Sequence, residues 1–474
     1  MGHGTEAMGL APGDHVAVVV GNRTEFIEVL LGVQRAGMVV TPLKTSWTPS
    51  EIAVVLNDAK SKLVVTDVEA ARLAAAEHGI PVVDVDSLDV DSLDGWLAGQ
   101  DHGPLPADRR GWRMSYTSGT TGRPKGVVHP WSGQSPFSEA FERSSGWAEA
   151  ARLPGDGIHL MASQLFHGAP LTFGLAALAR GAPMRIMRRW DPSEFLRHVN
   201  AGVASTTLVP TMFRHLLALP EGERLEAETG VLRTVLHGGE PCPPELKRRM
   251  VDWLGPVFVE YFGFSEGGMT LATTEDWLAR PGTVGQALPH QEVVVLDDKG
   301  ERVPPKTEGL VYFRFLDGTR FSYFGDPAKT EAAYGPDGAF TAGDIGWLDG
   351  DGYLYISGRR ADVIVGAGVN VYPAEVEAVI DGADGVADVA VVGGPDPERG
   401  EQVVAFVVPA PGAVGDDVLA AVEAASAEQL AGYKRPRRIV LCEEVPRDPT
   451  GKLLRGRLRQ ALWDGRTGFA ASGS

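Results

Sequence analysis

Four segments of this chain combine residue types that can handle phosphate and carboxylate. The first is Tyr116–Gly126, where Thr117, Ser118, Thr120 and Thr121 surround Gly119 and Gly122, and Lys125 closes the run. Glycines let backbone N–H groups crowd toward an anion, hydroxyls add donors, and a lysine adds charge. The loop therefore suits a polyphosphate. It is not a Walker A sequence, because Gly126 follows Lys125 where Ser or Thr would be needed. The alternative is a flexible surface turn. The second segment, Glu260–Gly268, contains Gly263, Ser265 and Gly267 in the G-x-S-x-G pattern of a hydrolase nucleophile elbow. That chemistry needs an acid and then a histidine on later strand ends. His290 is the only histidine after Ser265, and Asp276 is the only aspartate between them. A triad confined to that stretch does not fit the hydrolase fold. Glu266 could instead hold Mg²⁺ on ATP phosphates while Ser265 donates to one of them, or be a solvated surface carboxylate.

The third segment runs from Thr341 to Asp349 and on to Gly358 and Arg359. Asp344, flanked by glycines, could accept from two ribose hydroxyls or could simply close an Asx turn. The fourth is Pro446–Arg455, a Pro- and Gly-containing loop that carries Lys452. A lysine on such a loop can swing into a site as a point charge, or can remain a solvated surface residue.

These loops need rigid elements behind them. His15–Val20 and Leu63–Thr66 read as strands, and Glu25–Ala36 as a helix with Phe26, Val29, Leu30 and Val33 on one face. Thr48, Pro49 and Glu51 form a capping-box helix start. Further strands are expected at Gly157–Ala162, Ala204–Leu208, Arg233–Leu236 and Val257–Tyr261. This alternation predicts α/β layers with largely parallel sheet. Short strands at Glu292–Leu296, Leu310–Phe315 and Tyr353–Ile356 mark a β-rich subdomain. After Arg360 the chain restarts. Helices are expected at Pro373–Ile380, Asp416–Gln429 and Leu453–Trp463, with strands at Val386–Val392, Gln402–Val408 and Arg438–Cys442. That is a compact α+β unit.

The 474 residues suffice for roughly three structural units. With 44 Lys+Arg against 62 Asp+Glu, the formal net charge is −18, which argues against a nucleic-acid partner. Cys242 and Cys442 form no CxxC pair, so they suit a reducing cytoplasm rather than a zinc site. No apolar run reaches the ~18 residues of a membrane span, and the first ten residues lack a secretory or myristoylation pattern.

Taken in order and at this spacing, the four segments resemble the adenylate-forming (ANL) superfamily of ligases over nearly the whole chain, from about His15 to Trp463. Leu165–Gly168, Val209–Phe213, Leu236–Pro241 and Asn370–Glu377 are most similar to fatty-acyl and aryl acyl-CoA synthetases. The resemblance implies a large N-terminal AMP-binding domain over residues 1–358, built of α/β subdomains plus the β-rich one. It implies a hinge at 359–362 and a small mobile α+β C-terminal domain at 363–474.

It also implies roles. Thr117, Ser118, Gly119, Thr120, Thr121 and Lys125 would cradle the β- and γ-phosphates of ATP. Gly238, Gly239 and Glu240, with Phe262 and Gly263, would frame the adenine and the start of the acyl pocket. Ser265 would meet the α-phosphate, Glu266 would hold Mg²⁺, and Asp344 would bind ribose with Arg359 beside it. Lys452 would bridge the α-phosphate and the attacking carboxylate. Gly368 and Lys434 would serve CoA. Phe166, His167, Met212, His237, Phe264 and Gly267 would line the acyl pocket, with Leu171, Phe173, Phe213 and Met269 as further apolar wall candidates. The reaction implied is acid activation as acyl-AMP with pyrophosphate release, then transfer to CoA. The alternative is an enzyme that stops at acyl-AMP and hands it to a carrier protein or second ligase. A homodimer is compatible with the sequence, which leaves the oligomeric state open.

Two departures touch the thioester step: Ala361 stands at the pivot where Asp or Lys is usual, and Ala367 stands where glycine is common. His167 stands where amino-acid-activating relatives place an Asp, so the acid expected is hydrophobic rather than an α-amino acid. Burial of its chain would contribute about 0.8 kcal/mol per CH₂.

Overall fold

The computed structural model describes residues 4–5, 8–86, 93–98, 100, 103, 108–117, 124–366, 369–397, 399–447, 451 and 453–465. The first sheet is wholly parallel, in the order Val82–Asp84, Ser61–Thr66, His15–Val19, Val39–Pro42 and Trp112–Arg113. Every residue of His15–Val19 is buried, as expected for a parallel strand covered on both faces. The helix Thr24–Arg35 buries Phe26, Val29, Leu30 and Val33 against it. Thr48 caps the helix Pro49–Asp58. Its side chain accepts from the Glu51 N–H while the Glu51 carboxylate accepts from the Thr48 N–H.

The second sheet runs Gln286–Ala287, Met269–Thr273, Phe258–Gly263, Thr234–Gly238, Val203–Leu208, Ile158–Met161 and Met184–Ile186. Its last five strands are parallel and its first two antiparallel. From Ile158–Met161 the chain crosses to Met184–Ile186 on one side, then returns to Val203–Leu208 on the other. That reversal opens a crevice at the carboxyl ends of the two central strands, where α/β sheets take their ligands.

A four-stranded antiparallel sheet follows, ordered Gln291–Leu296, Gly309–Phe315, Asp344–Leu348 and Leu354–Arg359. A three-stranded sheet joins Ser322–Tyr323, Lys125–Val128 and Ser115–Thr117. The C-terminal unit has a separate sheet. Its order is Val369–Val371, Ile364–Gly366, Gly400–Pro409 and Val386–Asp396, with Arg438–Leu441 parallel to Gly400–Pro409. Helices Pro373–Asp381 and Gly415–Gln429 cover one face of that sheet and Arg455–Trp463 the other. No described helix is long and apolar enough to cross a membrane.

In the C-terminal unit, two differences from the sequence expectation have a physical reason. The strand read as ending at Val392 continues to Asp396, because it pairs residue by residue with Gly400–Pro409 in one long hairpin. The last helix begins at Arg455 rather than Leu453, since Leu453 bridges back to Arg447 and Leu454 is not helical.

Candidate active site

The sequence motifs converge at the carboxyl ends of the second sheet. Leu165, Phe166 and His167 follow Ile158–Met161. Thr211 and Met212 open the helix after Val203–Leu208, and Gly239 and Glu240 follow Thr234–Gly238. Gly238 must be glycine: a Cβ there would sit 2.1 Å from the Tyr261 carbonyl oxygen on the adjacent strand.

Ser265, Glu266 and Gly267 lie in the turn between Phe258–Gly263 and Met269–Thr273, whose antiparallel register pairs Gly263 with Met269. A nucleophile elbow requires a strand that turns into a helix. The hairpin therefore removes the hydrolase reading of G-x-S-x-G. Asp276 caps its own helix through Thr273 and accepts from the Tyr353 hydroxyl at 2.7 Å.

The strand pairing that ends the phosphate-loop segment sets Thr117 opposite Lys125. On the other side of Lys125–Val128 lies Ser322–Tyr323, with Tyr323 opposite Val127. Tyr323 links the two motifs. Its hydroxyl donates to Glu266 Oε1 at 2.8 Å, and Lys125 Nζ lies 4.6 Å from its ring centroid. Burial, then the Glu266 charge, push the phenol far above its ordinary range, so it stays a donor. Sequence reasoning missed Tyr323, since no spacing ties it to either motif. Ser118, Gly119, Thr120, Thr121, Gly368, Ala367 and Lys452 lie outside the described residues.

Asp344 and Arg359 face each other as register partners on adjacent strands, and Arg359 Nε donates to Asp344 Oδ1 at 3.3 Å. Asp344 is buried while Arg359 is half exposed. Ala361 lies exposed in the short turn Arg360–Asp362 that follows.

Glu240 turns out to be a clasp. Its Oε1 accepts from the Thr211 N–H at 2.6 Å and hydroxyl at 2.8 Å, and its Oε2 accepts from Arg447 Nη1 at 2.8 Å. Burial raises its pKa, with Arg447 opposing. The same Arg447 nitrogen donates to the Gly451 carbonyl at 2.7 Å, and the rest of the guanidinium grips Asp388 at 2.9 and 3.1 Å. Gly451, with φ of +89°, is packed so close to Thr211 that a Cβ would lie 3.1 Å from the Thr211 side chain. Arg214 pairs with Asp381 at 2.5 Å from the same side. Thus the residue before Lys452 is held against the carboxyl edge of the large sheet. Arg447, Thr211 and Arg214 were not foreseen as functional residues.

Several expected wall residues lie elsewhere. Leu171, Phe173 and Phe213 have no exposed surface and belong to the core. His237 is also fully buried, tilted against Phe213 and edge-on to Phe258, and burial, then the Lys247 charge, push its pKa well down. It lies on Thr234–Gly238, a strand buried along its whole length, so its side chain is part of the core. Phe264 packs edge-on against Phe313 and Phe340, beside Phe262. Phe166 and His167, with ring centroids 4.4 Å apart, and Met212 and Met269 remain half-buried. Lys434 pairs with Glu375 at 2.6 Å.

Comparison with known proteins agrees with this architecture. Residues 1–315 match the family described as AMP-binding enzyme, and residues 375–452 match the AMP-binding enzyme C-terminal domain. The chain belongs to this family, the adenylate-forming ligases. It is 34% identical over 466 residues to the long-chain-fatty-acid–CoA ligase FadD13 of Mycobacterium tuberculosis, covering 96% of this chain and 89% of that one. It is 32% identical to the fatty acid–[acyl-carrier-protein] ligase ScoC of Streptomyces coeruleorubidus, over 97% and 89%. Among solved structures it is similar to ATP-bound MatB from Rhodopseudomonas palustris, with a TM-score of 0.85, 30% identity, and 97% and 91% coverage.

Proposed function

We propose that the protein is an ATP-dependent acid:CoA ligase that activates a hydrophobic carboxylic acid. The observation that carries this reading is Tyr323, which gathers the phosphate-loop cation Lys125 and the carboxylate Glu266 around one ring. The substrate carboxylate oxygen attacks the α-phosphorus of ATP, and the P–O bond to pyrophosphate breaks. In the resulting acyl-AMP the carbonyl is activated. The CoA sulfur attacks it after losing its proton, and AMP leaves. The roles of Ser118, Thr120, Ser265, Asp344 and Lys452 are those set out from the sequence.

Glu266 Oε1 is engaged by Tyr323, and among the described residues none bonds Oε2. Among the described residues no cluster of three or more His, Cys, Asp or Glu could hold a metal. A Mg²⁺ ion held by Glu266 would thus take its other ligands from phosphate and water, as Mg²⁺ commonly does. It would supply charge neutralisation at the phosphates. The Arg447–Gly451–Thr211 contacts support the pose in which the Lys452 loop faces the adenylation site. We further propose a body over 1–358, a pivot at Ala361 within 359–362, and a moving unit over 363–474. Half-buried Phe166 and Met212 support an apolar acid.

The test is mass spectrometry of products from ATP, Mg²⁺ and a panel of hydrophobic acids, with and without CoA. Acyl-CoA that forms only when CoA is added is the expected result. Acyl-AMP that persists despite CoA would assign the second half-reaction to a carrier protein or another ligase. No nucleotide turnover with any acid would overturn the reading.

A further inference from the structure

We propose that Glu240 is a positioning residue of the adenylation step. Through Arg447 its carboxylate fixes the Lys452 loop against the carboxyl edge of the large sheet, and it takes no part in reading the nucleotide base. This rests on the ligase reading above and deepens it, because it names the bond that sets when the first half-reaction can proceed.

Arg447 brackets position 452 within its own unit. Its Nη1 donates to the Gly451 carbonyl at 2.7 Å. Its backbone forms a β-bridge with Leu453, and the Leu454 N–H donates to the Pro446 carbonyl at 2.8 Å. The residues immediately before and after Lys452 are thus both tied to Arg447. Asp388 grips the other two guanidinium nitrogens, at 2.9 Å from Nη2 and 3.1 Å from Nε. Such a fork-to-carboxylate pair fixes the guanidinium plane. Nη1 is left to reach Glu240 Oε2 at 2.8 Å.

Glu240 is prepared in the same way on the other side of the seam. Its Oε1 accepts from the N–H and the hydroxyl of Thr211, in the first turn of the helix Pro210–Leu217. Unpaired N–H groups and the helix dipole favour a carboxylate there. The Thr211 hydroxyl also lies 3.4 Å from the Gly451 carbonyl. One turn further along that helix, Arg214 pairs with Asp381 at 2.5 Å and reaches the Ala387 carbonyl at 3.4 Å. The body and the C-terminal unit therefore exchange one arginine each.

The way these bonds divide suits a contact that is made and broken. If Nη1 parts from Oε2, Glu240 keeps Thr211 and Arg447 keeps Asp388. Neither charge is stranded, and a stranded charge is what makes breaking a buried pair costly. The Arg447 and Glu240 side chains are 18% and 9% exposed, so water can take the vacated positions. When the bond forms, the loop returns to one place. That precision matters for a point charge: a misplacement of about 1 Å can cost ~10²-fold in rate.

The test compares wild type, Glu240→Gln, Arg447→Lys and the double variant Glu240→Gln/Arg447→Ala, with an acid that the wild type activates. Glutamine keeps an oxygen for Thr211 but turns an amide NH₂ toward the guanidinium, so the helix cap stays and the bridge is lost. In Glu240→Gln, kcat for pyrophosphate exchange should fall about tenfold, while KM for ATP and ATP affinity by isothermal titration stay within about twofold. Supplied acyl-AMP should pass to CoA no more slowly than in wild type. Arg447→Lys, which keeps the charge but not the fork, should show the same split. The double variant should lose no more than Arg447→Ala alone, since the shared bond is already gone. A raised KM for ATP with kcat retained overturns the proposal and returns Glu240 to the nucleotide. Equal loss in both half-reactions, or additive losses in the double variant, also overturns it. If Glu240→Gln does not fold, the split in Arg447→Lys decides. Exchange that these variants leave unchanged removes this proposal alone, whereas a wild type without exchange on any acid removes the ligase reading with it.

Discussion

The interior of the large sheet and the seam with the C-terminal unit both use charge, but in opposite ways. In the interior, Lys247 has no exposed surface, pairs with Glu260 at 2.6 Å, and lies over the Trp277 ring. It is surrounded by elements of one body, so this pair has nothing to separate. At the seam, Arg447 reaches across to Glu240, 207 residues away, and Arg214 to Asp381, while Arg447 also grips Asp388 within its own unit. Each of those seam side chains keeps a little exposed surface. Apolar contact would hold the two units permanently, whereas ion pairs exchange with water at modest net cost. The interior pair is expected to govern stability and the seam pairs to govern which half-reaction proceeds.

Three substitutions break or sharpen that contrast. Lys247→Met should have the largest effect. It leaves Glu260 buried without its partner and should cost about 3–5 kcal/mol of stability. A denaturant melt checks this, and adding Glu260→Leu should recover much of the loss. Lys452→Ala should lower adenylation by about 10²–10³-fold, the scale of losing one charge-stabilising group in a transition state. ATP binding should be largely retained; isothermal titration and pyrophosphate exchange separate the two. Full exchange activity in that variant would remove Lys452 from the site. Arg447→Ala should slow pyrophosphate exchange by about tenfold, the equivalent of ~1.4 kcal/mol. The thioester step from supplied acyl-AMP should not slow with it. Equal loss in both steps would mean that Arg447 supports the fold rather than the pose.

Much of this molecule could be read locally. The capping box at Thr48 and Glu51 is a four-residue signal, and the helix begins where it predicts. The strands read at His15–Val20 and Ala204–Leu208, rich in β-branched residues, are fully buried parallel strands. Asp344 and Arg359 were legible as motif residues, and the strand register then placed them side by side. What could not be read was any partnership set by the way the layers stack. Glu240 was expected near adenine, but its carboxylate holds Thr211 and Arg447, the latter 207 residues away. Tyr323 and Glu266 are 57 residues apart, and no periodicity joins them. Apolar character alone also failed to separate wall from core: Leu171, Phe173 and Phe213 are as hydrophobic as any pocket lining, yet all three are sealed inside.

The pairing of Asp344 with Arg359 ends one residue before the turn Arg360–Asp362. Under the proposed roles, the ribose contact Asp344 is paired with the last residue of the strand that leads straight into the pivot turn. A bound nucleotide would then act as an axle pin. It would fix the last rigid point of the body while the C-terminal unit turns about it, and each turn would load the pin directly. Swing and nucleotide grip would be geared together, so the unit that moves would also sense whether its cargo is ATP, acyl-AMP or AMP.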